Sequence, residues 1–526
     1  MALQGSGAIS FNDVNVELGL SGTATISLND AAVRTLFGVA SGAISMSNGY
    51  GKSSGARQWM AITYTSIQSA YPTRNFYDSS GNAYVAAAFA LSQPWKHIVQ
   101  KWNSSNTLQF SKTYFPTGMS TANIGGRQFF DSSGNCYLMV GQNTGNNLAQ
   151  GNVIKIAAAG TGSWSKGINS SNGTWTAGKY ASPYTVAASS SKVLLGQVFT
   201  GSYQNGTICV CCNLYPTYFN FSESWVTYLS STDGTQQWTN TYKIDQGENF
   251  GNNLYWQGSV INSSGDAIMF ASHNIAGIGA RIGIVKLSGT DGSVIASKYL
   301  NSSPISDSQP QLNAAISPNG NCYTAMVSDT SSWHLLQIDP TTLANNWKKS
   351  ITYTGVSSNT YEQTGIATDS DNNVYLIGNA TLAGETQCFL FKFNNAGTLQ
   401  FAQKFRANTP AGGIFPLSIR GVSIGGSTMY LTFLGRALSG GTTYYVHYSL
   451  AVPKDGSVNG TSTSVNYPPA GTAGITMLID NVSPTITDST YTSTSFNIIR
   501  SQTGYTVTNY DITAADITPQ QAVATI

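Results

Sequence analysis

From Ile366 to Phe405 the chain reads IATDSDNNVYLIGNATLAGETQCFLFKFNNAGTLQFAQKF. A short apolar run leads into a polar turn at Asp369 to Asn373. The apolar runs VYLIG and CFLFKF follow, then a second turn at Asn394 to Gly397, then TLQFAQKF. No segment of helical period intervenes, so the stretch predicts four short strands joined by tight turns. The same turn and second strand recur as DSSGNAYVAAAF from Asp78, DSSGNCYLMVG from Asp131, SSGDAIMF from Ser263 and SPNGNCYTAM from Ser317. Weaker copies are SSSKVLLG from Ser189 and GGSTMYLTF from Gly425. Anchored on Tyr84, Tyr137, Leu194, Ile268, Tyr323, Tyr375 and Tyr430, the copies are 53, 57, 74, 55, 52 and 55 residues apart. The later turn and strand keep step, from Ile98, Val153, Val226, Ile284 and Leu335, and more loosely from Tyr444.

One such unit buries too little apolar surface to stand alone, and repeats of this length mark radial or linear arrays. Middle strands such as AYVAAAF and YLMVG are almost continuously apolar, as expected of strands covered on both faces; a sandwich would alternate more strictly. The predicted fold is therefore mainly β: a β-propeller of seven four-stranded blades over residues 54–470, with an eighth blade left open. The run RQWMAITY has no unit of its own and resembles a last strand. Trp59 to Thr65 is thus expected to complete a blade begun elsewhere. Residues 471–526 hold three further strand-like runs, GITMLID, SFNIIRS and YTVTNYDIT, as candidates for closing the ring or packing outside it.

Residues 1–53 follow another pattern. Ser10-x-x-Asp13 and Ser27-x-x-Asp30 each open a short segment that stops at a glycine, Gly19 and Gly38, which predicts two small helices. GAIS occurs at Gly7 and again at Gly42. With few large apolar groups, about 50 residues make a marginal domain, so a partner surface is expected.

Charge changes the picture most. Only 9% of residues are charged, against about 25% in ordinary soluble domains, and 25 Lys+Arg face 23 Asp+Glu. There is no basic footprint for nucleic acid. The amide- and hydroxyl-rich surface that remains suits packing in an assembly or contact with sugars. No run is long enough to span a bilayer, and MALQGSGAIS has neither a basic nor an apolar leader region, so synthesis and folding in a cytoplasm are expected.

Catalytic motifs are missing. His97, His273, His334 and His447 are scattered, and no metalloprotease, nucleophile-elbow, P-loop or EF-hand string occurs. Asp78, Asp131 and Asp369 recur at a turn position where a carboxylate accepts backbone N–H bonds, a structural role. Lys101, Lys155, Lys286 and Lys392 share one register of the third strand, either lining a rim or serving as a solvated edge. Cys136 and Cys322 stand in core positions. Cys209, Cys211 and Cys212 cluster without a second pair at metal spacing. The reading is of no enzyme, no cofactor and no metal, although the two carboxylates that glycoside hydrolysis needs would leave no motif. The third unit carries an insertion, Thr200 to Trp225, with Tyr203, Tyr215, Tyr218, Phe219 and Phe221. It is the candidate contact surface for a sugar or a neighbouring subunit, or else a longer hairpin packing on its own blade.

The strings GAISFNDVNVELG, from Gly7, and ISLNDAAVRTLFGVASGAISMSNGYGKS, from Ile26 to Ser53, resemble a short N-terminal module of virion structural proteins of tailed bacteriophages. The resemblance implies a module that docks the protein on the particle, carried here by Asn29, Asp30, Val33, Arg34, Leu36, Tyr50 and Lys52. The chain departs from that pattern at bulky Phe37, where a small residue is expected, and at Gly49, where a larger one is usual. The implied protein is a virion component, fibre, collar, baseplate or head decoration. Its partners would be other virion proteins and a host surface glycan, in a homo-oligomer without membrane insertion or nucleic acid. The leading expectation is a non-enzymatic attachment protein; the alternatives are a polysaccharide-degrading tail enzyme and a carbohydrate-binding propeller outside a virion.

Overall fold

The computed structural model describes residues 3, 7–18, 23–37, 39, 41–50, 58–63, 70–78, 80–89, 96–103, 107–116, 122–123, 128–144, 148–170, 180–210, 213–244, 254–275, 279–300, 313–327, 332–356, 362–408, 414–415, 417–439, 442–458, 460–461, 465–467, 472–489, 493–495, 498–502, 505–509, 512–516 and 520–525. Seven antiparallel sheets form the blades of a β-propeller. In blade six the order is an inner strand Glu362–Thr368, a second strand Val374–Leu382, a third Glu385–Phe393 and an outer strand Leu399–Asn408. All seven anchor positions of the sequence repeat fall on second strands. Inner strands of successive blades lie side by side, and Leu417–Gly425 of blade seven meets Ala70–Tyr77 of blade one, which closes the ring.

The middle strands are apolar because both their faces are covered. In blade five, every position of Trp333–Ile338 is buried, whereas most positions of the outer strand Asn345–Thr352 are only half-buried. The apolar side chains divide into seven clusters, one at each joint between neighbouring blades. Burial at these joints, not within any one sheet, is what drives the ring together.

Chain ends are handled in two ways. Gln58–Thr63 pairs with Thr442–Pro453, Trp59 opposite Leu450, and so supplies the outer strand of blade seven, as its sequence suggests. No eighth blade forms. Instead the C-terminal segment lays one strand against the outer edge of each blade in turn, running backwards round the ring. Thr472–Asn481 pairs with blade six, Thr485–Ser489 with five, Ser493–Ser495 with four and Ile498–Gln502 with three. Tyr505–Asn509 then pairs with blade two, Ile512–Asp516 with one and Gln520–Thr525 with Gln58–Thr63 of seven. Each blade thereby gains a strand beyond the four read from sequence.

The joints share one device. The outer strand of a blade presents an aromatic ring to the second turn of the next blade, where a glycine of positive φ lies flat against it. A Cβ on Gly160, Gly234, Gly292 or Gly397 would come within 2.9, 2.9, 2.8 or 3.1 Å of the rings of Phe110, Trp164, Trp238 or Trp347. Phe401 meets Gly456 likewise. The tryptophans also donate Nε1–H to the turn, Trp164 to the Ser231 carbonyl at 3.2 Å and Trp347 to that of Asn395 at 3.2 Å. The joint from blade four to five inverts the pair. Ala296 takes the ring's register, opposite Lys286 as Trp238 is opposite Tyr228. Leu343 takes the glycine's place at φ 55 and fills the space, fully buried.

The N-terminal module has its own core of Leu3, Ile9, Val14, Val33, Leu36 and Phe37. Helix α1 (Phe11–Glu17) and helix α2 (Ala31–Phe37) form where the capping boxes predict them. Asp13 Oδ2 accepts the Ser10 N–H at 2.7 Å, and Asp30 Oδ2 that of Ser27 at 2.8 Å. A third copy missed in the sequence is the 3₁₀ turn Met46–Gly49, where Asn48 Oδ1 accepts the Ser45 N–H at 2.8 Å. Phe37 packs against Gly49, where a Cβ would lie 2.7 Å from the Phe37 ring. Among the described residues no helix is long and apolar enough to cross a membrane.

Two predictions follow from packing and burial. Trp238→Ala should cost about 3–5 kcal/mol, and Gly292→Leu should destabilise through its clash with the same ring. The double variant recreates the Ala296–Leu343 arrangement and should cost less than the sum of the singles, by about 0.5–3 kcal/mol in a double-mutant cycle; strict additivity would refute the exchange. Burial pushes the His97 imidazole down to about 4, and burial with nearby Lys348 pushes His334 down to about 3. Below pH 6.5 the unfolded chain takes up protons that the folded chain refuses. Stability should therefore hold above pH 6.5 and fall as the pH drops toward 4, by roughly 1.4 kcal/mol per unit per histidine. His97→Leu should flatten that slope by its share in urea titrations between pH 4 and 7.

Candidate functional site

The two ends of the ring differ in what they leave free. At the turn end, the recurring aspartates are consumed by structure. Asp369 Oδ1 accepts the N–H groups of Asp371 and Asn373, both at 2.9 Å, while Oδ2 accepts from the Asn373 amide and the Tyr375 hydroxyl, again at 2.9 Å. Asp78 and Asp131 repeat the arrangement with Asn82 and Asn135. Burial alone would raise Asp369, but the bonds from Asn373 and Tyr375 and the nearby Lys454 outweigh it and hold the carboxyl below its ordinary value. The third-strand lysines are held by structure: Lys101 Nζ is 5.1 Å from the Tyr84 ring centroid and Lys392 Nζ 5.2 Å from that of Tyr375, while Lys155 and Lys392 donate to carbonyls of the next blade, Ser231 at 2.6 Å and Lys454 at 3.1 Å. Lys286 pairs instead with Asp266 at 3.8 Å.

The axis is where side chains of all seven blades converge. A cavity of about 150 Å³ is lined by inner-strand residues, among them Arg74, Asn75, Gln128, Gln257, Ser259 and Asn313, with Val186, Ile366 and Val422 completing the circuit. Register shifts between Tyr71 and Arg74, Pro183 and Thr185, Trp256 and Gly258, Gln363 and Gly365, and Ile419 and Gly421 kink five inner strands at one level. Such bulges re-aim side chains. Arg74, Thr185, Gly258, Asn313, Gly365 and Gly421 hold equivalent registers. Three of the six are glycine, and one of them, Gly365, leaves room beside the longest. Arg74 reaches from blade one across the axis to blade five, where Nη2 donates to Asn313 Oδ1 at 2.5 Å. A Cβ on Gly365 would stand 3.6 Å from Arg74 Nη1. Desolvation between the inner strands pulls the guanidinium down to about 10, so it remains a cation at neutral pH.

Beside it, Asn75 donates Nδ2–H to the Tyr430 carbonyl at 2.8 Å, while its buried Oδ1 has no hydrogen-bond partner among the described residues. The wall thus offers a cation, several amides and an acceptor oxygen to one small space. That set binds an oxygen-rich polar group, an anionic one above all. Among the described residues no carboxylate lines the cavity and no cluster suited to a metal occurs. Glu362 opens the inner strand of blade six, three residues before the Arg74 level. Asp245, Glu248 and Asp307 lie outside the described residues.

The residues read from sequence are not at this cavity. Val33 and Leu36 are buried in the module core. Asn29 Oδ1 accepts from Arg34 Nη2 at 2.8 Å, and Asp30 caps helix α2. Tyr50 is exposed and donates its hydroxyl to the Gly7 carbonyl at 2.7 Å; Lys52 lies outside the described residues. Tyr203, Tyr215, Tyr218 and Phe221 fall on a long hairpin of blade three. Burial, with Asp131 adding, raises the Cys136 thiol, and burial pushes Cys322 up to about 12, so both are inert core thiols. Cys209 lies on that hairpin opposite Leu214, and Cys211 and Cys212 lie outside the described residues. The axial residues were missed because they are spread over all seven blades and none sits in a local motif.

No family model matches the chain, and no curated protein matches it. Solved structures do resemble it. NanB sialidase from Streptococcus pneumoniae aligns at a TM-score of 0.43 and 8% identity, over 76% of this chain and 95% of that one. The phage phi92 endosialidase aligns at 0.37 and 10%, over 76% and 69%. The intramolecular trans-sialidase from Ruminococcus gnavus aligns at 0.33 and 8%, over 74% and 96%. At these values the likeness is one of fold. It corrects the expectation that the chain is no enzyme, because solved propellers of like fold are named as sialidases. The absence of a motif was the wrong ground for that expectation, since carboxylates drawn from separate blades leave no trace in local sequence.

The axial strut has an asymmetric signature. Asn313→Leu removes a bond to a half-buried cation and should cost about 1.5–3 kcal/mol. Arg74→Met removes the cation itself and should cost less, because burying a charge carries its own penalty. Thermal unfolding of the two variants compares them directly, and equal or reversed losses would contradict this account.

Proposed function

We propose that the chain is a glycan-degrading protein of a bacteriophage particle: its first fifty residues dock it on the particle, and its axial mouth takes a bacterial surface polysaccharide. The observation that carries the reading is the axial cavity, where a cation, amides and an unpartnered acceptor oxygen meet in a ring otherwise poor in charge. A surface of amides, hydroxyls and aromatic rings favours an oxygen-rich, weakly charged ligand over nucleic acid or a strongly charged protein. The docking role rests on the ISLND, SGAISMS and YGKS strings and on a module that folds around its own core. A glycan is also what the names of the fold neighbours bring to mind, but a likeness at that identity shares only the fold. Hydrolysis would draw its carboxylates from the end at which inner strands begin, where Glu362 stands.

The expected outcome is new reducing ends when the purified protein is incubated with a panel of bacterial surface polysaccharides. Arg74→Met should lower the rate at least about tenfold while leaving the ring folded by circular dichroism. Release of no ends from any polysaccharide that the protein retains on an affinity column would sink the degradative part. Absence of the chain from purified particles by immunogold labelling would sink the virion part.

A further inference from the structure

The N-terminal module is built three times over. Ser10, Ser27 and Ser45 each follow an isoleucine, and the N–H of each is bonded by the side chain three residues on, Asp13, Asp30 or Asn48. The serines are 17 and 18 residues apart, and Ile9, Ile26 and Ile44 pack in one core. The copies are joined head to tail by one kind of bond. Asn15 of the first copy donates Nδ2–H to the Ala24 carbonyl at 2.7 Å, and Arg34 of the second donates Nη2–H to that of Gly42 at 3.0 Å. Tyr50 of the third donates its hydroxyl to that of Gly7 at 2.7 Å, which leads back to the first copy. Gly7, Ala24 and Gly42 each lie three residues before the serine of their own copy. Three residue types make the same bond, so the geometry is repeated where the sequence is not.

A head-to-tail contact that closes after three steps is a threefold rotation. Outside the core, each copy shows water the same short polar string. Asn12, Asn29 and Ser47, with Asp13, Asp30 and Asn48 beside them, are all exposed. The rotation sets these strings at three equivalent places round one axis. A partner without that symmetry engages one string and leaves two unused. A partner that shares it engages all three, and contacts that are weak singly compound, because the second and third become intramolecular once the first has formed. Short hydroxyl and amide side chains make such contacts. Closed protein assemblies are built on rotation axes, so the partner that fits is a ring of three identical subunits.

We infer that the module seats on the threefold axis of a partner protein, one chain to three identical subunits, with positions 12, 29 and 47 each facing the same site on a different subunit. The inference rests on the particle-docking part of the proposed function and is independent of what the propeller's axial cavity binds.

The test uses the full chain assembled into particles, with photoreactive benzoylphenylalanine in place of Asn12, Asn29 or Ser47, one position at a time. The expected result is that all three probes link to one and the same peptide of one virion protein, and that a chain with probes at both 12 and 47 joins two copies of it. Links to different peptides, or links from fewer than all three positions, overturn the inference. Asn12→Lys, Asn29→Lys and Ser47→Lys give a second reading without probes: each should lower the number of chains per particle, by factors within about threefold of one another. No loss, or loss confined to one variant, overturns it as well. A parent chain absent from particles is a different failure, since it removes the docking reading itself and this inference with it.

Discussion

The ring depends on how a flat aromatic meets a turn with no side chain. Phe110, Trp164, Trp238, Trp347 and Phe401 each lie where a Cβ on the facing glycine would sit about 3 Å or less from the ring. Ring and turn therefore touch over the whole face. The geometry fixes the separation of neighbouring blades, and blade separation repeated around a circle fixes whether seven blades close. A side chain at one joint would need relief at every other, because a ring has no free end to absorb the error. The joint from blade four to five, which departs from these five, supports the rule: where the ring shrinks to Ala296, the turn grows to Leu343 even though Leu343 must hold φ 55. That backbone costs about 1–2 kcal/mol for a branched residue, less than the cavity its side chain fills.

The outer circumference poses the second constraint. Seven outer strands would present seven unpaired edges, each able to recruit another chain. The C-terminal segment pairs with all seven. It runs against the direction of the ring and ends on Gln58–Thr63, the strand that already links the start of the propeller to blade seven. Opening the ring at that seam therefore means peeling two strands from two distant parts of the sequence. The new outer edge is built of short strands, several of three to five residues, and short edges are poor templates.

The blades were legible in the sequence because turn and strand repeat with their chemistry intact. In DSSGNAY and DSSGNCY the aspartate, asparagine and tyrosine are three partners in one set of hydrogen bonds, so the string recurs as a unit. Capping boxes marked helices α1 and α2 for the same reason. The C-terminal strands could not be assigned this way. Runs such as Ser493–Ser495 are too short to show a period, and which blade each meets is set by tertiary pairing alone. The axial residues were hidden by the opposite circumstance. Arg74, Asn313, Gly365 and Gly421 occupy one register of a repeat and differ there from each other, so a search for similarity passes over them.

That last point bears on where activity belongs in a repeat ring. Positions that recur are held by the need to stack: the aspartate turns, the joint aromatics and the tyrosines over which Lys101 and Lys392 lie. A position at which six equivalent strands carry arginine, threonine, asparagine or glycine is released from stacking and is free to answer to something else. At the Arg74 level the differences are coordinated: Gly365 on blade six stands beside the guanidinium of the blade-one arginine that reaches blade five, and Gly421 on blade seven makes room for Asn75. Packing alone does not ask for that, because seven small apolar residues would fill the axis without burying a guanidinium. A cation kept on the axis beside a glycine of another blade costs stability, and what it returns is a fixed positive charge at a cavity that all seven blades line.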